Sequence, residues 1–157
     1  MAKNKVIESI TCHICGVGID RRENDPVIGS CPCCSADFQN KNETLRDKVN
    51  CNWFKSLFSS ISGTLLLTDK RLVYVMNNDT STGMAFAIGG LLGALIASRF
   101  KSKGAAQINI PVENISYYEN SMQSVRKGIR IHTADGNSYK FISMKTRKWA
   151  EKNLPRK

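Results

Sequence analysis

Hydrophobic and polar positions change rhythm along this chain. Residues 39–50 are polar, with Leu45 and Val49 as the two aliphatics, and read as a linker or one short helix. Beyond them, short apolar and aromatic runs alternate with turn formers, which is the pattern of strands. Residues 52–59 carry Trp53, Phe54, Leu57 and Phe58. Gly63 opens the run 64–68, Asp69-Lys70 make a turn, and residues 71–76 return, which predicts a hairpin. Runs at 107–110 and 114–118 follow. Residues 128–133 alternate with period two, Asp135-Gly136 is a hairpin turn signal, and residues 138–142 return. Ser143 is placed to N-cap a helix over 144–153, with Thr146, Trp149, Ala150 and Asn153 on one face. Seven strands and a terminal helix predict an α+β fold, a bent antiparallel sheet closed by the helix.

One stretch breaks the rhythm. Residues 80–98 hold no charged side chain. Their apolar centre contains Met84, Phe86, Ile88, Gly89, Leu91, Leu92, Gly93, Leu95, Ile96 and Ala97. A helix over residues 84–97 reaches about 21 Å, short of the roughly 30 Å hydrocarbon core of a bilayer. A single crossing would also put strands of one sheet on opposite sides of a membrane. Ala85, Gly89, Gly93 and Ala97 recur every four positions, giving a small-residue stripe for close packing. The insert, 80–103, is therefore expected to be helical. It would be held by the sheet, by a second copy of the chain, or by shallow insertion into lipid.

Charge sharpens that picture. The net charge of the 157 residues is +10, which points to an anionic partner. Residues 121–157 alone carry ten basic and two acidic side chains, whereas residues 1–40 carry four and five. The basic positions include Arg126, Lys127, Arg130, Lys145, Arg147, Lys148, Lys152, Arg156 and Lys157, with Arg99, Lys101 and Lys103 just past the apolar run. An apolar segment beside a polybasic patch is the two-signal arrangement of reversible membrane attachment.

The front of the chain holds a different chemistry. Cys12-x2-Cys15 and Cys31-x2-Cys34 are separated by fifteen residues, the spacing of a four-thiolate zinc site. Two tight knuckles facing each other would complete a tetrahedron. Gly16 follows the first pair and Pro32 stiffens the second. Cys33 is the rejected alternative to Cys34, because a C-x-C bite breaks the symmetry. His13 is expected to point away from the metal. No apolar run follows Met1, so no secretory signal is expected, and reduced thiols in a cytoplasmic protein are the reading. Four thiolates leave no open coordination position, so the Zn2+ is expected to be structural.

Two resemblances follow from these residues. Cys12-His13-Ile14-Cys15-Gly16 and Cys31-Pro32-Cys33-Cys34 resemble the zinc-ribbon family over residues 8–38. The hairpin Gly63-Thr64-Leu65-Leu66-Leu67-Thr68-Asp69-Lys70-Arg71-Leu72-Val73-Tyr74 resembles that of GRAM-like domains of the pleckstrin-homology superfold. So do Ile110-Pro111-Val112-Glu113-Asn114-Ile115, the hairpin around Asp135-Gly136, and Trp149 in the closing helix. This second resemblance covers about residues 51–155 and implies a seven-strand antiparallel barrel or sandwich with a C-terminal helix. It also implies membrane, lipid or protein binding, and it carries no catalytic residues. The long insert departs from the family pattern.

The expectation is a non-enzymatic, cytoplasmic protein, peripheral on the inner face of a membrane. It would meet anionic lipid through the insert and the basic patch. The ribbon would dock a protein partner or pack against the sheet domain. The alternatives are a self-associating module using the small-residue stripe, and a nucleic-acid binder using the basic C-terminal region. The ribbon itself is a poor nucleic-acid reader, being slightly acidic with Phe38 as its only aromatic.

Overall fold

A computed structural model describes residues 6–23, 25, 27–56, 59–77 and 103–157. Strands β1 (Val6–Thr11) and β2 (Gly18–Arg22) form a small antiparallel pair at the front of the chain. A larger sheet takes β3 (Leu45–Phe54), β4 (Ser60–Thr68), β5 (Arg71–Asn77), β6 (Lys103–Pro111), β7 (Ile115–Gln123), β8 (Arg126–Thr133) and β9 (Ser138–Ile142). Its order is β6-β5-β4-β3-β9-β8-β7, with every neighbouring pair antiparallel. Helix α1 (Thr146–Asn153) packs against β3 and β8.

Seven strands and a closing helix therefore stand as expected, but the closed barrel does not. Among the described residues, edges β6 and β7 are not paired with each other, so the sheet is not closed into a barrel. The cause lies in the connection between them. A 3-10 turn at Val112–Asn114 replaces a hairpin. Its bonds go elsewhere: the Val112 amide donates to the Lys70 carbonyl, and the Asn114 carbonyl accepts from Ala134. Edge β7 is partly covered by the C-terminal tail, where the Tyr118 amide donates to Pro155 and the Lys157 amide to Tyr118.

One face of this sheet lines a single core. Leu65, Leu67, Leu72, Tyr74, Ile108, Ile110 and Ile115 meet Tyr118, Ile129, Ile131, Phe141, Trp149 and Ala150 in one buried cluster. Strands from both halves thus bend around a shared interior. Tyr74 stitches its centre: the hydroxyl donates to the carbonyls of Ile61 (2.5 Å) and Cys51 (3.0 Å) and accepts from the Trp53 amide. Burial pushes its phenol pKa upward, so the hydroxyl stays a donor.

Gly63 makes this packing possible. A Cβ there would lie 2.3 Å from the Val75 carbonyl oxygen and 2.7 Å from the Tyr74 ring. The carbonyl is fixed by the sheet, so neither neighbour can yield. Gly63→Ala is expected to cost about 1–3 kcal/mol by overpacking, read as a lower urea midpoint at unchanged slope. Gly18→Ala, where a Cβ meets nothing within 4 Å, should stay near wild type.

Two local expectations change. The segment read as linker or short helix supplies the first half of β3, from Leu45. Its inward positions are Asp47, Val49 and Cys51. Only Val49 is aliphatic, so the period-two signal is weak. Asp47 is accommodated because its Oδ2 accepts from Asn153 Nδ2 (2.9 Å) and Lys152 Nζ (3.0 Å), which ties α1 to β3. The helix also starts later than expected. The Ser143 hydroxyl accepts from the Lys145 amide, and helix proper begins at Thr146. The predicted face survives, with Thr146, Trp149 and Ala150 buried. The apolar insert, with Met84, Phe86, Ile88, Gly89, Leu91, Leu92, Gly93, Leu95, Ile96, Ala97, Arg99 and Lys101, lies outside the described residues. No helix among the described residues is long and apolar enough to cross a membrane.

Candidate metal centre and the basic face

The two cysteine pairs build matching knuckles. In the first, the Gly16 amide donates to the Cys12 carbonyl and the Cys12 amide to Val17, both at 2.9 Å. In the second, Ser35 donates to Cys31 (2.6 Å) and Cys31 to Ala36 (2.7 Å). Gly16 and Ser35 both take positive φ, 70° and 58°. For Ser35 that is a costly conformation, retained because the knuckle needs the turn there. The match extends to side chains: Ile14 and Cys33 face inward and are buried, as are Val17 and Ala36. Cys33 therefore fills the place of an apolar residue, and Cys34 is the fourth thiol of the cluster. His13 is exposed.

The knuckles bring Cys12, Cys15, Cys31 and Cys34 together, all buried, with their sulfurs within 4.8 Å of one another. Cys12 and Cys34 Sγ lie 3.6 Å apart, and so do Cys15 and Cys31. A tetrahedron of metal–sulfur bonds of about 2.3 Å has edges of about 3.8 Å. These pairs fit that edge, and they are far from the roughly 2.05 Å of a disulfide. Electrostatics point the same way. The four neighbouring thiols shift one another: the Cys12 pKa is lowered by Cys15, Cys31 and Cys34, while the other three are pushed up, first by Cys12. Crowded thiols of this kind cannot all ionise unaided. A divalent cation would allow it. Cys51 stands apart in the sheet core, its thiol pushed up to about 12 by burial.

The cysteine module is built onto the sheet. Ile14, Val17, Ile19, Cys33 and Ala36 share one buried cluster with Leu66, Val73 and Val75, on the face of β4 and β5 opposite the main core. This explains why these strands read as continuous apolar runs: both faces are covered. The connection between module and β3 is pinned as well. Arg71 donates to both oxygens of Glu43, at 2.7 and 2.8 Å, and Thr68 Oγ1 donates to the same carboxylate. Asp69 Oδ1 accepts from the Thr44 amide.

Burial alone would raise the Glu43 pKa, but Arg71 and Thr68 outweigh it and hold the carboxyl below its ordinary value. A lowered folded-state pKa gives stability that is full above the ordinary range near 4.5 and lost as pH falls through the folded value. Glu43→Gln is expected to cost about 1.5–3 kcal/mol at pH 7. The gap to wild type should shrink as the denaturation series is carried toward pH 3.

The basic positions do not form one uniform patch. Lys152 pairs with Asp47 at 3.0 Å, and Arg130 lies 3.9 Å from Glu119. Lys145 and Lys148 are exposed on and beside α1. Arg126 and Lys127 are exposed at the start of β8. Lys103 begins β6, opposite Asn77. Arg147 counted in the sequence only as part of the basic tail. The structure gives it a fixed position: Nε donates to the Gly128 carbonyl and Nη2 to Ser121, both at 3.3 Å.

No protein-family model matches the chain, and no curated protein matches it. Among solved structures it is similar to the C-terminal domain of an unknown protein from Leishmania infantum. The identity is 17%, the match covers 71% of this chain and 81% of that one, and the TM-score is 0.46.

Proposed function

We propose that this chain is a non-enzymatic binding protein in which a structural zinc ribbon braces a pleckstrin-homology-like sheet that attaches to an anionic membrane surface. Zinc is favoured as the metal by four buried thiolates with tetrahedral edges and no open position, a set that suits structural Zn2+ and leaves no Lewis-acid site. Seven antiparallel strands followed by a helix favour the pleckstrin-homology-like assignment. The ribbon spends its apolar face on Leu66, Val73 and Val75, which favours a bracing role over docking of a further protein.

The observation that carries the membrane reading is a register. Asn77 pairs with Lys103, so the chain departs from β5 before the insert and rejoins the sheet on neighbouring β6 after it at one place. A chain that leaves and returns at the same place suits a segment dipping into one leaflet. Arg99, Lys101 and Lys103 follow it closely enough to meet the headgroups. Co-sedimentation with phosphatidylcholine vesicles, with and without phosphatidylserine, tests this. Binding to the anionic vesicles that is lost in Leu92→Asp is expected. Absence from both pellets would sink the reading, and a salt-steep shift of RNA that survives deletion of residues 80–98 would replace it with nucleic-acid binding.

A further inference from the structure

A groove of about 710 Å3 opens on the sheet domain where Asn50, Asn52, Ser62 and Asn77 face the β7–β8 turn and the segment leading into α1. Arg126, Lys127 and Arg147 supply its charge, and among the described residues no carboxylate lines it. The volume falls in the range that holds a small organic ligand.

Several of its polar side chains carry N–H donors. Asn52 Oδ1 already accepts from Ser62 Oγ (2.7 Å) and Asn50 Oδ1 from Thr64 Oγ1 (3.0 Å). Both of these carboxamides keep their N–H groups to offer a ligand. Arg147 is held by two backbone carbonyls, so its guanidinium is fixed in place before any ligand arrives. Among the described residues, neither Arg126 nor Lys127 has an acidic partner. A concave site offering guanidinium, ammonium and amide N–H together is complementary to a multiply charged oxyanion.

The rim adds a second signal. The β7–β8 turn is the two residues Ser124-Val125, and Ser124 takes a positive φ of 52° where glycine is the usual choice. That turn presents Val125 at 87% exposure, and Met144 across the groove is 97% exposed. Neither side chain serves the core. Two bare apolar tips beside a cationic groove suit a surface with charged headgroups over acyl chains.

We infer that this groove is a receptor for a phosphate group, with Arg126, Lys127 and Arg147 as its cationic contacts and Val125 and Met144 seated at the acyl boundary when the phosphate belongs to a lipid. The lipid as source rests on the membrane reading above; the anion chemistry does not. The full chain would be tested in two arms. In the first, inorganic phosphate is titrated and amide shifts are followed by NMR. In the second, partition onto phosphatidylcholine vesicles is measured with and without phosphatidic acid. Phosphate is expected to shift amides around 121–128 and 143–147. The exposed double variant Arg126→Gln/Lys127→Gln should abolish those shifts and lower partition onto phosphatidic-acid vesicles roughly thirtyfold. Asn52→Asp, which sets a carboxylate in the groove at nearly constant volume, should act in the same direction. Phosphate shifts in a chain that ignores all vesicles would keep the receptor and make a soluble phosphate its ligand, while removing the membrane reading. Vesicle binding equal in wild type and both variants, with no phosphate shifts, would overturn the groove and leave the insert as the membrane contact.

Discussion

Replacing any one of Cys12, Cys15, Cys31 or Cys34 with serine, or stripping the metal with a chelator, is expected to unfold the ribbon and uncover one face of the sheet. Residues 8–38 are too few to bury a sufficient core, so on the proposed zinc reading metal binding would supply their folding free energy, about 10–16 kcal/mol in comparable small zinc modules. Loss should be all-or-none for residues 8–38. It should also reach the sheet, because Leu66, Val73 and Val75 would lose their cover. Amide exchange should show protection vanishing over 8–38 while the interior strands stay protected. A dye that reports exposed apolar surface should brighten. Cys33→Ala is the control, because Cys33 sits where the first knuckle has Ile14 and is not one of the four clustered thiols. It should keep the metal, with at most a modest packing loss. A ribbon that stays protected without metal would contradict the site.

The second large effect is at Trp149. This side chain is 6% exposed and lies in the shared core with Ala150. Trp149→Ala is expected to cost about 3–5 kcal/mol through lost burial and the cavity left behind. Much of a small domain's stability is of that order, so the variant should be largely unfolded well below the wild-type midpoint. Trp149→Phe should recover most of the loss. The indole Nε1 has no hydrogen-bond partner among the described residues, so removing it sacrifices only ring volume. A phenylalanine variant as damaged as the alanine one would mean that the indole N–H matters after all.

These two sites were legible in the sequence for different reasons. The cysteine spacing is a local signal, and the positive φ at Gly16 and Ser35 completes a symmetry already present in the letters. Trp149 stood on the apolar face of a short amphipathic segment. The strands were legible where one face is buried and period two is clean, as in residues 128–133. They were illegible at the start of β3, where an inward Asp47 is satisfied by Asn153 and Lys152 from the far end of the chain. The runs of β4 and β5 announced strands but not that both faces are covered, because the covering residues lie in the ribbon. The open edge between β6 and β7 depends on where a 3-10 turn sends its bonds. The groove joins β3, β4, the β7–β8 turn and α1, and no local pattern connects them.

The basic excess also acquires a location. Of the positions carrying it, Arg130 and Lys152 have acidic neighbours, while Arg126, Lys127 and Arg147 converge on one groove. Asn77, the last described residue before the insert, lines that groove too. The chain therefore leaves β5 beside the cationic groove, and on the proposed membrane reading the apolar and basic signals would meet one surface together. The ribbon covers the face carrying Leu66, Val73 and Val75.

Hydrogen exchange of the full chain with and without phosphatidic-acid vesicles tests this arrangement most directly. The account predicts vesicle-dependent protection over 78–102, 121–127 and 143–148, with ribbon peptides from 8–38 unchanged. Protection confined to the ribbon, or none in any of the three segments, would contradict it.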